Sequence, residues 1–175
     1  ASWYEERGDY MIQDTIAPKV TRGYHKKVLA LGNDEFQGKK VLDVGTGTGI
    51  LAIMAEKRGA SSLTATDIDD WCIENSEENF ALNDVKDVVL IKGQISEVGQ
   101  SDFDIIIANI NKNVLLEQIS EYASRLKENG RLILSGFYEA DISDLVEESK
   151  KNSLTKIHST TKDNWAMLAL EKRSV

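Results

Sequence analysis

The sequence is poor in cysteine, proline and histidine. Its 175 residues include one cysteine (Cys72), one proline (Pro18) and two histidines (His25 and His158). A single cysteine excludes an internal disulfide bond, and two distant histidines without a cysteine cluster give no support to a zinc site. One proline leaves little rigid linker, and no internal repeat is visible. We therefore expect one globular domain that is long enough to bury a core and holds no metal.

Long apolar runs and excess positive charge are also missing. No stretch of about 18 apolar residues is present to span a membrane, and no signal segment opens the sequence, so we expect a cytoplasmic protein. Lysine and arginine number 21 against 29 acidic residues, which gives a formal net charge of -8. A broad nucleic-acid surface is therefore not expected, and a basic partner suits the acidic charge better. The oligomeric state stays open.

What the sequence does contain is an alternation of strands and helices. This order predicts an α/β fold with a doubly wound, mostly parallel seven-stranded sheet and helices on both faces. Only the letters KDN separate the last two strands, and so short a connection requires an antiparallel C-terminal hairpin. The predicted strands are 39–44, 62–67, 87–93, 103–110, 131–137, 154–161 and 165–172, and the predicted helices are 49–59, 69–84, 113–130 and 140–152.

The most informative stretch is LDVGTGTGIL, residues 42–51. Gly45, Gly47 and Gly49 stand where a strand passes into a helix, and the free N–H groups of a helix N-terminus suit a polar or anionic ligand. Glycine also lets the backbone turn tightly and lets a ligand approach without a β-carbon in the way. A purely structural turn is the alternative, but three glycines preceded by Asp43 exceed what a turn needs. We therefore predict a ligand of the nucleotide type.

Two acids narrow the choice of ligand. The spacing Gly-x-Gly-x-Gly matches neither a P-loop nor the dinucleotide pattern, and Asp43 beneath the turn would repel a pyrophosphate but attract an ammonium group. Asp67 ends the next strand, about 20 residues after the first glycine, where an acid accepts hydrogen bonds from ribose hydroxyls. Asp67 could instead cap the following helix. Ile68 could lie flat against an adenine. A ribose and a cationic amino acid without phosphate describe S-adenosylmethionine.

At this point the sequence resembles a known family. The stretches VLDVGTGTG, TATDID and FDIIIANI, with the closing hairpin, are similar to the class I S-adenosylmethionine-dependent methyltransferases, which have a Rossmann-like fold. The resemblance implies that Asp43 faces the methionine amino group, that the glycine turn lines the methionine and ribose, and that Asp67 binds the ribose. The implied cofactor-binding residues are Asp43, Gly45, Thr46, Gly47, Gly49, Asp67, Ile68, Gln94, Ile95 and Asn109.

The loop after the third strand departs from that pattern. In the family an acid of this loop usually contacts the adenine, but here the loop reads Gly93-Gln94-Ile95. The resemblance therefore assigns the adenine contact to Gln94 and Ile95 without the usual acid.

The stretch ANINKN, residues 108–113, follows the fourth strand. Asn109 stands at the carboxyl end of that strand, where open α/β sheets place their active sites. Its side-chain oxygen, with a neighbouring carbonyl, can accept hydrogen bonds from an amine and hold the nitrogen lone pair toward a methyl sulfonium. Displacement then needs mostly positioning. The alternative is that Asn109 only caps or turns the chain.

The likeness is closest to the catalytic domain of the bacterial methyltransferases that N-methylate a ribosomal protein of the large subunit. DIDDWCIENS, ANI and SGFY carry it. It implies an S-adenosylmethionine-dependent N-methyltransferase that acts on a lysine or α-amine of a basic protein, such as a ribosomal protein. Asn109 and Ile110 would then be catalytic and grip the nitrogen. Phe137 and Tyr138 would line the pocket or serve as ordinary packing.

The sequence differs from that family in its first 37 residues. We expect no separate recognition domain in these residues, and APKVTRGYHKKV stands where the family has Gly-Thr-Gly-Thr-His. We expect residues 1–37 to be a helical lead-in that covers the cofactor of a domain formed by 38–175, with Arg22 either pairing the cofactor carboxylate or lying on the surface. The lead-in faintly resembles that of protein arginine methyltransferases, but the paired glutamates of those enzymes are missing after the fourth strand.

Other functions stay open at this point. A small-molecule methyltransferase would need no recognition domain, and a non-catalytic domain could bind a cofactor or a partner. The glycine spacing, Asp43 and the terminal hairpin speak against a dinucleotide dehydrogenase.

Overall fold

In residues 35–173, which the computed structural model describes, seven strands alternate with four helices. The strands are β1 (Lys40–Val44), β2 (Ser62–Asp67), β3 (Val88–Lys92), β4 (Phe103–Asn109), β5 (Leu126–Tyr138), β6 (Leu154–Lys162) and β7 (Trp165–Lys172). The helices are α1 (Ile50–Lys57), α2 (Asp70–Leu82), α3 (Lys112–Arg125) and α4 (Ile142–Lys151). Short 3-10 turns cover Ile95–Glu97 and Glu139–Asp141.

The strands form one mixed sheet in the order β3-β2-β1-β4-β5-β7-β6. The strands β1 to β5 pair in parallel, whereas β7 runs antiparallel to both β5 and β6. The predicted doubly wound sheet with a C-terminal antiparallel hairpin is therefore confirmed. Asp163 and Asn164, which connect the hairpin strands, both have positive φ, as a tight two-residue hairpin turn requires.

The core consists of two apolar layers, one on each face of the sheet. In the central strand β4, Ile105 and Ile107 belong to the layer that includes α1, and Ile106 belongs to the layer that includes α3 and α4. All three side chains are at most 1% exposed, and burying each one contributes about 2 kcal/mol. The continuous apolar run of this strand thus reflects burial on both faces.

The predicted end of the third helix is wrong. The sequence places it at Asn129-Gly130, but α3 ends at Arg125, and Leu126 already has extended backbone angles. The side chain of Leu126 is 2% exposed and packs in the core, opposite Phe103 of β4. Strand β5 begins at Leu126, which pairs with Phe103 of β4, so the chain is already extended before it reaches the stop signal of the later glycine.

Some expectations lie outside the described residues. They are the helix predicted from IAPKVTRGYHKKVLAL, the role of Arg22 and the cofactor-covering role of the lead-in up to residue 34. The division into 1–37 and 38–175 stays a prediction. Among the described helices, none has the length and apolar character needed to cross a membrane.

Candidate active site

The predicted site residues meet at the carboxyl end of the parallel strands. The strand order changes direction between β1 and β4, and ligands of open α/β sheets bind in the crevice at such a point. The glycine turn follows β1, and Ile110 follows β4. These two segments are in direct contact, because a β-carbon on Gly45 would stand 2.5 Å from Cγ2 of Ile110.

The three glycines of the turn have different surroundings. Gly45 (φ 67°) is covered by Ile110, and Gly49 (φ 79°) faces the ring of Phe80, whose Cε1 would be 2.7 Å from an added β-carbon. Among residues 35–173, no atom lies within 4 Å of that position at Gly47 (φ 59°). Gly47 is therefore the glycine whose α-carbon is open to a ligand, whereas Gly49 is required by left-handed backbone and by packing against α2.

Asp43 is a buried acid beneath the turn. Its Oδ2 accepts hydrogen bonds from the Thr46 hydroxyl at 2.7 Å and from the Ala52 N–H at 3.1 Å. The carboxylate thus anchors the first turn of α1, whose own N-cap residue, Gly49, has no side chain to do so. Within the described residues, Oδ1 of Asp43 is buried and accepts no hydrogen bond. An unsatisfied buried carboxylate oxygen calls for a donor from a ligand.

Burial also changes the acidity of Asp43. Desolvation raises the pKa of Asp43 to about 6, the nearby charge of Asp67 adds to the rise, and the bonds from Thr46 and Ala52 oppose it. A cation next to Oδ1 would restore the ionised form, because an opposite charge favours it.

Asp67 is held at the end of β2 by backbone donors. Its Oδ2 accepts from the Gly47 N–H at 2.9 Å and its Oδ1 accepts from the Asp69 N–H at 3.1 Å. The N-cap of α2 is Asp69, whose side chain accepts from Trp71 N–H, so the alternative of Asp67 as the cap is wrong. Each carboxylate oxygen retains a lone pair that could accept from a ribose hydroxyl. Partial burial and this carboxylate raise the pKa of Cys72 to about 11, so its thiol stays protonated.

Helix α2 holds the glycine turn through two polar side chains that the sequence analysis missed. The Ser76 hydroxyl donates to the Gly47 carbonyl at 2.8 Å, and the Asn79 amide donates to the Thr48 carbonyl at 2.8 Å. Ser76 is completely buried. The signal available in the sequence was their position three residues apart, on the face of α2 that carries Phe80. Gly47 is thus fixed at its N–H and its carbonyl while its α-carbon stays open.

The residues predicted to contact adenine have unequal access. Ile68 is 69% exposed beside Asp67 and offers an apolar surface. Gln94 is exposed, but Ile95 is 2% exposed with its side chain in the core, so only its backbone can reach a ligand. Glu97 folds back, and its Oε2 accepts from the Gln94 N–H at 2.8 Å. The Glu97 carboxylate therefore lies at this loop, although the three residues that follow β3, Gly93, Gln94 and Ile95, include no acid.

Asn109 stands beside Ser135 at the ends of β4 and β5. The two residues are register partners, and the Ser135 hydroxyl donates to Oδ1 of Asn109 at 2.9 Å. The chain bends at Gly136, where a β-carbon would stand 2.7 Å from the Ile110 carbonyl oxygen. Asn109 is not the cap of α3, because the Asn111 side chain accepts from the Val114 N–H in that role.

The two aromatic residues predicted near the pocket differ. Phe137 is 2% exposed and packs in the core. Of its two predicted roles, pocket lining and ordinary packing, it therefore has the packing role. Tyr138 is 53% exposed and stacks on Trp165 with ring centroids 4.6 Å apart. Trp165 opens β7 next to the end of β5, and the sequence analysis did not connect it with the site.

The loops that follow β4 and β5 are joined by an ion-pair cluster. The Lys112 ammonium contacts Asp141 at 3.0 Å and Asp144 at 2.6 Å, and Asp141 also accepts from the Tyr138 N–H at 3.0 Å. These acids raise the pKa of Lys112. The segment after β4 is thereby tied to the segment after β5. Within residues 35–173, no cluster of three or more His, Cys, Asp or Glu side chains is arranged to hold a metal ion.

The family model of the ribosomal protein L11 methyltransferases (PrmA) matches residues 27–173 of the chain. The chain belongs to this family. The resemblance stated from the sequence is confirmed. The ribosomal protein L11 methyltransferase of Porphyromonas gingivalis is 52% identical over 135 residues, which are 77% of this chain and 47% of that relative. The one from Bacteroides fragilis strain YCH46 is 43% identical over 82% of this chain and 53% of its own length.

The chain spans about half the length of these curated members of the L11 methyltransferase family. A crystal structure of ribosomal protein L11 methylase from Lactobacillus delbrueckii subsp. bulgaricus superposes with a TM-score of 0.79 at 36% identity, covering 87% of this chain and 81% of that one. A methyltransferase from Pyrococcus furiosus superposes with a TM-score of 0.80 at 19% identity, covering 98% and 100%. That second likeness shows the fold, which is the Rossmann-like fold expected from the sequence.

Proposed function

We propose that this chain is an S-adenosylmethionine-dependent N-methyltransferase that acts on an amine of a ribosomal protein of the L11 type. The observation that carries the proposal is the contact between Ile110 and Gly45. It brings the segment that would hold the acceptor amine directly against the turn that would hold the methyl donor. Family membership and the relatives named for L11 methylation support the substrate class.

The residues at the turn fit S-adenosylmethionine. Its ammonium group can satisfy the buried Oδ1 of Asp43, which accepts nothing from the described residues. Its ribose hydroxyls can donate to Asp67, and the open α-carbon of Gly47 admits the chain between them. Exposed Ile68 can cover the adenine. A phosphate is disfavoured here, because Asp43 and Asp67 already place two carboxyl groups around the turn.

The reaction requires mainly that the chain position the acceptor amine and the methyl donor relative to each other. When bound, S-adenosylmethionine supplies a methyl group on a sulfonium that leaves as a neutral thioether. A neutral amine of the substrate forms the bond to carbon, the sulfur–carbon bond breaks toward sulfur, and the extra proton of the amine passes to solvent. Oδ1 of Asn109 can accept a hydrogen bond from the incoming N–H, which aims the nitrogen lone pair at the methyl carbon. Ile110 covers Gly45 at the start of the glycine turn.

We further propose that this reaction takes place in the cytoplasm. We also propose that the chain binds a basic segment of its protein substrate. The described residues between 35 and 173 include acids around the site edge, such as Asp69, Glu139 and Asp163, and an acidic rim attracts a lysine-bearing chain.

Titration calorimetry of the full chain with S-adenosylmethionine, S-adenosylhomocysteine and NAD tests the donor. We expect binding of the first two compounds and none of NAD. Binding of NAD alone would contradict the methyltransferase proposal.

Transfer of a radiolabelled methyl group to purified ribosomal protein L11 of Porphyromonas gingivalis tests the acceptor. We expect transfer by the wild-type chain and a loss of about 100-fold in Asn109→Ala, the scale of effect that lost positioning produces. Donor binding without transfer would remove L11 as the substrate and favour a small-molecule acceptor. Equal transfer by Asn109→Ala would remove Asn109 from the mechanism.

A further inference from the structure

We propose that Ser135 is a positioning residue that fixes the amide of Asn109 for the acceptor amine. The inference rests on the proposed function, since it concerns the residue that would receive the amine. Its basis is the hydrogen bond of 2.9 Å from the Ser135 hydroxyl to Oδ1 of Asn109. Neither the sequence pattern nor family membership assigns a role to this serine.

An asparagine amide presents an acceptor and a donor at nearly identical positions, so its orientation has to be set by its surroundings. The acceptor role requires Oδ1, because an incoming amine donates its N–H and keeps its lone pair for the methyl carbon. Ser135 donates to the same oxygen and leaves its second lone pair for the substrate. With the amide reversed, the Asn109 NH₂ group would compete for the nitrogen lone pair and hold it away from the methyl group.

The fold holds Ser135 firmly in this position. Ser135 is the register partner of Asn109 and is 8% exposed. The pairing of β5 with β7 shifts register between Ser135 and Phe137, so a bulge at Gly136 interrupts the ladder directly after the serine, and pairing resumes at Phe137. Gly136 (φ 88°) lets the bulge pack against the backbone of Ile110, where an added β-carbon would lie 2.7 Å from the carbonyl oxygen and 3.0 Å from the nitrogen.

This arrangement links the donor and acceptor sides through backbone contacts. The Gly136 backbone supports the backbone of Ile110, and the side chain of Ile110 covers Gly45. Ser135 therefore acts on the orientation of one amide through a hydrogen bond. Its neighbour Gly136 leaves room for the Ile110 backbone and for Oδ1 of the same amide, which would be 3.1 Å from an added β-carbon.

The test is steady-state methyl transfer by the full chain to ribosomal protein L11 of Porphyromonas gingivalis, with four variants. They are Ser135→Ala, Asn109→Ala, the double variant of both, and Ser149→Ala. Ser149 is the matched control, because it is a buried serine whose hydroxyl donates to the Leu145 carbonyl in α4, away from the site. Calorimetry with S-adenosylmethionine is run on each variant.

We expect Ser135→Ala to lower kcat about tenfold and to leave the Kd for S-adenosylmethionine within about twofold of wild type, since one hydrogen bond is lost on the acceptor side. In the Asn109→Ala background the same substitution should have no further effect on kcat, because the amide it orients is gone. Ser149→Ala should keep the wild-type kcat.

Either of two kinds of result would overturn the inference while the proposed function stands. One is an unchanged kcat in Ser135→Ala when Asn109→Ala is impaired. The other is an equal loss from Ser135→Ala with and without Asn109, or a parallel loss of cofactor affinity, either of which indicates a structural serine. A wild-type chain that binds S-adenosylmethionine but methylates no L11 refutes the proposed substrate, and the inference falls with it.

Discussion

Ile110 fills the space above the α-carbon of Gly45, with Cγ2 at 2.5 Å from the position of a β-carbon. A residue after the fourth strand thus determines which residue the first turn can contain. Gly45 is required by this contact and by its φ of 67°, while the open position of the turn belongs to Gly47. The pattern Gly-x-Gly-x-Gly therefore combines three separate requirements.

Gly45→Ala should destabilise the chain more than its backbone conformation alone explains. Left-handed φ costs an alanine about 1–2 kcal/mol, and the clash with Ile110 adds about 1–3 kcal/mol. Gly38→Ala is the matched control, because Gly38 has φ 70° and no atom of the described residues lies within 4 Å of an added β-carbon. Urea unfolding measures the free energy of unfolding of both variants. Ile110→Ala, introduced together with Gly45→Ala, should relieve the clash and recover that part of the lost free energy. Equal losses of unfolding free energy in the Gly38 and Gly45 variants would show that the contact with Ile110 does not add to the destabilisation.

Gly47→Ala should separate stability from cofactor binding. Its free energy of unfolding should fall by the same amount as that of Gly38→Ala, about 1–2 kcal/mol, since both positions are left-handed and open. Its affinity for S-adenosylmethionine should fall at least about tenfold, because the alanine side chain would occupy the space in which the ligand approaches the backbone. Calorimetry on both variants checks the difference. Wild-type affinity in Gly47→Ala would place the ligand elsewhere.

Gly49→Ala should act through packing with Phe80. The added β-carbon meets Cε1 at 2.7 Å and Cζ at 3.1 Å, so unfolding should become easier by about 2–4 kcal/mol when backbone strain is included. Phe80→Leu in that background should recover part of the loss. If the double variant then binds S-adenosylmethionine as wild type does, Gly49 is a packing residue, and a persistent loss of affinity instead supports the predicted cofactor contact.

Asp43→Asn should weaken cofactor binding without weakening the fold. The amide oxygen of an asparagine can still accept from Thr46 and Ala52, and the buried charge is removed. At pH 7.5 we expect the free energy of unfolding to be no lower than that of wild type. Affinity for S-adenosylmethionine should fall at least about tenfold, since the ammonium loses its counter-charge. Unfolding curves that show strong destabilisation would instead make Asp43 chiefly an anchor of α1.

Binding by wild type should depend on pH through Asp43. Its pKa lies at about 6, above the ordinary value of 3.8, so the folded chain holds this proton more tightly than the unfolded chain. The stabilising contribution of the protonated group is complete below about pH 4 and is lost as pH rises through 6. Affinity for a cationic amine runs the opposite way and should rise between pH 5 and 7. Calorimetry across that range, with Asp43→Asn showing a flatter profile, checks the assignment.

The sequence was sufficient for the fold and for the pieces of the site because those depend on local patterns. Short apolar and β-branched runs predicted the strands, the KDN connection predicted the antiparallel hairpin, and Asp67 and Asn109 were predicted from their positions at strand ends. The comparisons and the sheet order confirm the fold and the family. The individual site assignments stay predictions that the variants above can test.

What the sequence did not reveal depends on contacts between distant segments. Ser76 and Ser135 look like ordinary polar residues of a helix and a strand, and their roles appear only when partners 29 and 26 residues away are brought close. The early end of α3 at Arg125 has the same origin, because the burial of Leu126 is decided by the core and not by the stop signal that follows it.

The strand order also has a consequence for how such enzymes can diverge. Segments that would hold the methyl donor come from residues 43–97, on one side of β1, and segments that would hold the acceptor come from 109–138, on the side of β4 and β5. The side chain of Ile110 contacts Gly45 and so joins the segment 109–138 to the segment 43–97. An exchange of the segment 109–138 for that of another methyltransferase would have to preserve this contact as well as the parallel pairing of β1 with β4.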